Sequence, residues 1–145
     1  MKEEMIAFLQ KERFGSVATL LLNGDPHVAT VHFAFVPETF EIIIQTNPHS
    51  RKYERLAEVG FCRASFTTGF EEIKTIIAQF DGFVSTNVTQ AQKDFYLEKF
   101  PEKMGKYKTE VFIVFTPDWW RYTNWTKPEG KTIFTSDGKV EVVKK

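Results

Sequence analysis

The sequence predicts a mainly β protein, built as one antiparallel barrel with two or three short flanking helices. Three observations carry this prediction. Short apolar runs follow one another with turn residues between them, the pattern of a meander rather than of alternating strands and long helices. Asn23-Gly24 stands between two such runs, and this dipeptide is the strongest short hairpin signal because both residues tolerate positive φ. The strands are apolar enough that open edges would be a liability, and closing the sheet removes them. A chain of 145 residues suits a single domain.

The elements follow in order. Residues 2–13 read as a helix with Met5, Phe8 and Leu9 on one stripe. Ser16–Leu22 is a first strand, and His27–Val36, across the Asn23-Gly24-Asp25-Pro26 turn, is a second. Pro37-Glu38-Thr39 turns the chain into a third strand, Phe40–Gln45. Ser50 reads as the N-cap of a helix from Arg51 to about Glu58, with Gly60 at its C-terminus and Tyr53, Leu56 and Ala57 facing inward. Phe61–Phe66 is a fourth strand, Thr67-Thr68-Gly69 a turn, and Glu72–Val84 a long fifth strand. Thr89-Gln90-Ala91-Gln92 has the form of a capping box, opening a helix that carries Phe95, Tyr96 and Phe100 inward and stops at Pro101. Glu110–Phe115 and Trp119–Tyr122 read as sixth and seventh strands parted by Thr116-Pro117-Asp118. Two short β runs around Ser136-Asp137-Gly138 make a hairpin or arm. The barrel domain is thus expected over 1–125, with 126–145 an arm of the same domain.

Composition narrows the function. Lys plus Arg equals Asp plus Glu at 19 each, so there is no basic excess to neutralise a nucleic acid. No apolar run reaches the ~18 residues of a membrane span and no signal peptide is visible, so a cytoplasmic protein without membrane partner is expected. The sequons at Asn87 and Asn124 then carry no meaning. Cys62 is the single cysteine and reads as a small hydrophobe. There is no G-x-G-x-x-G, no P-loop and no G-x-S-x-G elbow. Metal binding is not expected either: His27 and His32 are five apart on one strand and point to opposite faces.

One constellation stands out: Gln45-Thr46-Asn47-Pro48-His49-Ser50-Arg51-Lys52. A strand ends in amide and hydroxyl groups, and two cations occupy the first turn of the next helix. A helix N-terminus is already positive, so these cations raise the local potential unless an anion lies nearby. A phosphate would resolve the conflict, taking the free backbone N–H groups, the Ser50 hydroxyl and both basic side chains. On the residues alone, two solvated cations facing Glu54 or Glu58 fit equally well.

Thr46-Asn47-x-x-Ser50-Arg51-Lys52 resembles the T-N-x-x-S-R-K segment of the pyridoxamine 5′-phosphate oxidases. Phe14-Gly15-Ser16-Val17-Ala18-Thr19 is similar to the first barrel strand of that family, Gly24-Asp25-Pro26-His27-Val28 to its next turn, and Val114–Trp120 to its late strand–proline–strand joint. The resemblance covers residues 5–125 and implies a Greek-key split β-barrel, the FMN-binding split barrel. It implies that Arg51 and Lys52 bind the FMN phosphate, with Gln45, Thr46 and Ser50 along the ribityl–phosphate path. Ala29, Thr30, Val31 and His32 would present backbone groups to the ring, and Lys74 or Thr75 would meet its polar edge. It also implies a homodimer with flavin sites at the interface, to which Trp119 or Trp120 would contribute from the partner chain.

The departures bear on chemistry. Ala29 stands where the vitamin B6 oxidases open the ring-contacting strand with a basic residue, and Ala34 where a lysine meets substrate. Their C-terminal R-x-H has no counterpart, since Arg121 is followed by Tyr122 and Thr123. The expectation is therefore an FMN-dependent oxidoreductase acting on a small molecule other than a vitamin B6 phosphate. Its alternatives are a non-catalytic FMN-binding or electron-transfer protein, and a split barrel that binds haem or a deazaflavin. No catalytic residue is singled out; Tyr96, His32 and Lys74 are the groups with acid–base chemistry to offer.

Overall fold

A computed structural model of the chain describes residues 2–69, 71, 75–106 and 110–144. Among these the chain forms α1 (Lys2–Lys11), β1 (Phe14–Leu20), β2 (Pro26–Phe35), β3 (Ile42–Thr46), α2 (Arg51–Val59), β4 (Phe61–Thr68) and β5 (Ile76–Ser85). There follow α3 (Gln90–Lys99), a 3₁₀ turn (Pro101–Lys103), β6 (Val111–Asn124), β7 (Lys131–Thr135) and β8 (Val140–Val143). All strand pairs are antiparallel, in the order β3-β2-β1-β4-β5-β6-β7-β8. Pairing of β3 with β6, Ile42 opposite Phe115 through Thr46 opposite Val111, closes six strands into a barrel. The expected split barrel with flanking helices is the fold.

Period-two alternation explains how it packs. Val17 on β1, Phe33 and Phe35 on β2, Phe66 on β4, Phe80 on β5 and Phe115 on β6 point inward and are buried together with Met5 and Leu9 of α1. A second, smaller core lies outside the barrel wall, where Tyr96 and Phe100 at the end of α3 cover Ala34, Ile43 and Val114. The capping box of α3 forms as expected: the Thr89 hydroxyl accepts from Gln92 N–H (3.2 Å) and the Gln92 amide from Thr89 N–H (2.8 Å).

Several boundaries differ from expectation. The late proline does not split two strands, because β6 runs unbroken through Pro117. The ladder with β5 shifts there: Asp81 faces Trp119 and Gly82 faces Pro117, leaving Asp118 as the extra residue of a bulge. A Cβ on Gly82 would lie 2.2 Å from the Thr116 carbonyl oxygen, so only glycine permits this approach. The third strand begins at Ile42 rather than Phe40, which adopts φ 63° while its N–H closes a turn on the Val36 carbonyl (2.8 Å). Thr67 and Thr68 belong to β4 rather than to a turn, because this end of β4 pairs with both β1 and β5. On α2, Leu56 is buried and Tyr53 half-buried, but Ala57 is exposed. Arg55 turns inward instead and donates to the Leu21 carbonyl (3.2 Å). β5 begins at Ile76, and residues 72–74 of the expected strand lie outside the described ones. The tail forms the β7–β8 hairpin, which extends the sheet beyond β6.

Candidate functional site

The hairpin register assembles the site. On the outer face of β1 and β2, Phe14 pairs with His32, Ser16 with Thr30 and Ala18 with Val28. One end of this strip passes under α3, beginning at the fully buried Ala34. Toward the other end the side chains are small and open: Thr30 is exposed, and Val28 is 64% exposed.

At the α3 end lies a cleft of about 380 Å³. The hairpin supplies Phe14, Thr30, Val31 and His32; the end of β3 supplies Gln45, Thr46 and Asn47. Lys52 of α2, together with Lys103 and Glu110 from between α3 and β6, completes it. The start of α2 is organised without a side-chain cap. Ser50 has the extended N-cap backbone, but its hydroxyl lies 3.3 Å from the Thr46 hydroxyl and makes no cap hydrogen bond. Tyr53 N–H turns back onto the Ser50 carbonyl (3.0 Å), and no cap side chain takes the N–H groups of Arg51 and Lys52 before it. Asn47 shapes the approach, its side-chain carbonyl accepting from His49 N–H (2.8 Å).

Two lysines and one carboxylate set the charge of the cleft. Burial pushes the Lys52 ammonium below its ordinary pKa, with Glu110 acting in the opposite sense. Burial likewise lowers Lys103, where Glu102 and Glu110 oppose the shift and Arg13 adds to it. Among the described residues neither lysine has a carboxylate in ion-pair contact. His32 is held between Phe14 (ring centroids 4.2 Å) and Phe100 (5.4 Å). Its pKa is lowered by burial, then by Lys103 and Arg13, with Glu102 opposing, so the neutral imidazole is favoured. Tyr96 is a neutral phenol, raised well above its ordinary range by burial and by Glu110 and Glu102.

Further along the strip lies a groove of about 330 Å³ with a different lining. Ser16, Ala18 and Val28 form its floor on the hairpin, and Ser65, Gln79, Asp81 and Trp119 come from β4, β5 and β6. The Ser65 hydroxyl donates to the Asp81 carboxylate (2.7 Å), fixing a polar edge beside an apolar floor.

Of the residues singled out from sequence, Thr30, Val31, His32, Gln45, Thr46 and Lys52 come together in the cleft. Ser50 adjoins it through Thr46, while Arg51 is exposed and is not among the lining residues. Ala29 pairs with the fully buried Val17 and by alternation turns its methyl inward, so it offers the outer face only backbone. Thr75 lines neither cavity: its hydroxyl donates to the Glu71 carbonyl (2.9 Å) and its own carbonyl accepts from Trp125 N–H (3.0 Å). Lys74 lies outside the described residues. Trp120 packs against the barrel core with Phe40 (6.1 Å) and Phe134 (5.1 Å), and Trp119 lines the groove. The expected opposition of these two rings is what the strand produces.

Sequence reading missed Lys103, Glu110 and the whole groove. The Asn-Gly dipeptide marks the hairpin but not its register: the loop is Leu22-Asn23-Gly24, closed by Leu21 N–H on the Asp25 carbonyl (2.9 Å), and that extra residue is what pairs Ser16 with Thr30 and Ala18 with Val28. Nothing local marks Lys103.

A family model described as pyridoxamine 5′-phosphate oxidase matches residues 1–124. The chain belongs to this family. Among curated proteins there is no sequence match. Solved structures share the fold at low identity. A haem binding protein from Mycobacterium smegmatis has a TM-score of 0.69 at 15% identity, covering 93% of this chain and 56% of that one. A pyridoxamine 5′-phosphate oxidase-related FMN binding protein from Nostoc punctiforme has 0.60 at 12%, covering 97% and 90%. An FAD-binding protein from Mesorhizobium loti has 0.60 at 14%, covering 81% and 90%. The three descriptions name three cofactors, so the shared fold leaves the ligand to be argued from the site. Among the described residues no group of His, Cys, Asp and Glu could hold a metal ion, and no helix is long and apolar enough to cross a membrane.

Proposed function

We propose that this member of the pyridoxamine 5′-phosphate oxidase family binds FMN on the outer face of the β1–β2 hairpin and acts as an oxidoreductase on a small substrate. The observation that carries the reading is the strip itself, cationic and hydroxyl-rich at one end and apolar with a polar edge at the other. From His32 to Val28 is four residues of strand, roughly 13 Å at the usual rise. A phosphate, a pentitol chain and a fused ring have that order of charge, polarity and flatness. Lys52, the Thr46 and Ser50 hydroxyls and the first N–H groups of α2 hold the phosphate, with Arg51 at the rim. Thr30 and Gln45 follow the chain, and Ala18 and Val28 lie under the ring beside the Ser65–Asp81 pair.

When bound, the flavin supplies the redox chemistry, and the protein supplies orientation and exclusion of water. The groove is open on one side, so a homodimer that covers it with a second copy of this face completes the reading, in keeping with the commonest symmetry of such subunits. The vitamin B6 phosphates are not the proposed substrates. Ala34 is sealed under α3, Tyr122 is buried with its hydroxyl donating to Glu4 (3.1 Å), and Thr123 is buried. Those positions present no cation to a substrate phosphate.

A second reading is haem. It is favoured by the His32 imidazole in the cleft, whose pKa burial lowers, and by the mycobacterial neighbour, a haem binding protein. One absorbance spectrum of the purified protein, reconstituted with excess FMN, separates the two. A flavin spectrum with FMN released on denaturation is expected. A Soret band, or no retained flavin after dialysis, overturns the proposal. Steady-state NAD(P)H oxidation then separates an enzyme from a non-catalytic flavin carrier.

A further inference from the structure

The end of α3 carries a concentration of positive charge. Phe100, fully buried, has Arg13 4.6 Å, Lys103 5.0 Å and Lys99 5.7 Å from its ring centre. The first and last of these cations are engaged elsewhere. Arg13 pairs with Glu102 (2.7 Å), and Lys99 donates to the Glu12 carbonyl. Lys103 gives one N–H to the Tyr96 hydroxyl oxygen (2.9 Å) and has no ion-pair partner among the described residues. It lines the same cleft as Lys52 and Thr46, reaching it from the 3₁₀ turn rather than from α2. Glu110 also faces the cleft, so two lysines stand against one carboxylate, with His32 favoured neutral. The cleft is thus left with a net positive charge that an anionic group offsets. Arg51, the other cation of the helix turn, is exposed and outside the lining.

We propose that Lys103 is the second cation of the phosphate cradle, joining Lys52 from a separate element, so that the end of α3 discriminates phosphorylated from unphosphorylated flavin. This rests on the FMN reading and adds to it the residue that selects for the phosphate. The test is a titration of flavin fluorescence quenching with FMN and with riboflavin on wild type, Lys103→Gln and Arg51→Ala. Glutamine keeps a donor for the Tyr96 hydroxyl, and a melting curve checks that the fold is unchanged. Lys103→Gln should weaken FMN about 10- to 100-fold, the worth of one charge-assisted hydrogen bond, and leave riboflavin nearly unchanged. Arg51→Ala should cost less. Equal losses of FMN and riboflavin, or FMN affinity retained in Lys103→Gln, overturn the proposal. If wild type binds neither flavin, the FMN reading fails, and inorganic phosphate tests Lys103 separately. Thermal stabilisation of wild type but not of Lys103→Gln keeps the anion cradle; equal stabilisation of both, or none, removes it.

Discussion

The two ends of the β1–β2 strip differ in what builds them. The cleft end draws on several separate elements, β2, β3, α2 and the 3₁₀ turn after α3, and holds two half-buried lysines that face Glu110 without an ion-pair contact among the described residues. The groove end is made almost wholly by sheet positions, small where β1 and β2 cross it and polar where β4 and β5 bound it. A charged ligand group is fixed by few, expensive contacts, because burying a lysine costs solvation that only an anion restores. A flat apolar body needs mostly room, and Ser16, Ala18 and Ser65 supply it by being small. On this contrast the groove should decide whether any flavin binds, and the cleft should decide which one.

The largest expected effect is at the groove. Ala18→Trp places an indole on the floor and should reduce FMN and riboflavin binding together, by about 100-fold or more, through overpacking. The residue faces outward, so melting temperature should hold; a loss confined to FMN would break the contrast. Next is Lys52→Ala, expected to weaken FMN about 10- to 100-fold and riboflavin little in the same titration. Equal losses would place the phosphate elsewhere.

Thr89→Ala removes the cap of the helix that ends at Phe100 and should cost about 1 kcal/mol in denaturant unfolding. If α3 serves the cleft alone, FMN affinity should fall slightly and riboflavin affinity not at all.

The smallest effect is a pH dependence. Burial, with Lys103 and Arg13, lowers the His32 pKa below its ordinary 6.5 while Glu102 opposes. A histidine held neutral in the fold contributes stability that is present above the unfolded pKa and lost as pH falls through the lowered folded value. Melting temperature should therefore drop between pH ~7 and ~5, and His32→Gln should flatten part of that drop. An unchanged slope in the variant would remove His32 from the electrostatics of the cleft.

Much of this was legible before any tertiary structure. The expected strands Ser16–Leu22 and His27–Val36, with the Asn23-Gly24 turn between them, correspond to β1 and β2, although which side chains face each other across the pair came only with the observed loop. The segment Gln45–Lys52 offered an anion site or two solvated cations, and Gln45, Thr46 and Lys52 do line one cleft. Local signals could not show that Arg51 stays outside it while its neighbour turns in. On a helix of 3.6 residues per turn, adjacent residues point about 100° apart, and only the packing of Leu56 sets the rotation.

The sequence by itself therefore determined that the chain is a run of strands, where the first hairpin turns, the capping box of α3 and the hydroxyl–amide–cation run at the start of α2. Each depends on residues within a few positions of one another. The tertiary structure alone decided that β6 continues through Pro117, that β3 and β6 close the barrel, and that Lys103 reaches a cleft begun by Lys52. These depend on contacts between residues far apart in the chain. Gly82 of β5 meets the bulge only because Thr116 and Pro117 of β6 lie beside it, and Lys103 lines one cleft with Thr46 only because α3 lies on β2 and β3. No periodicity within either segment records its partner.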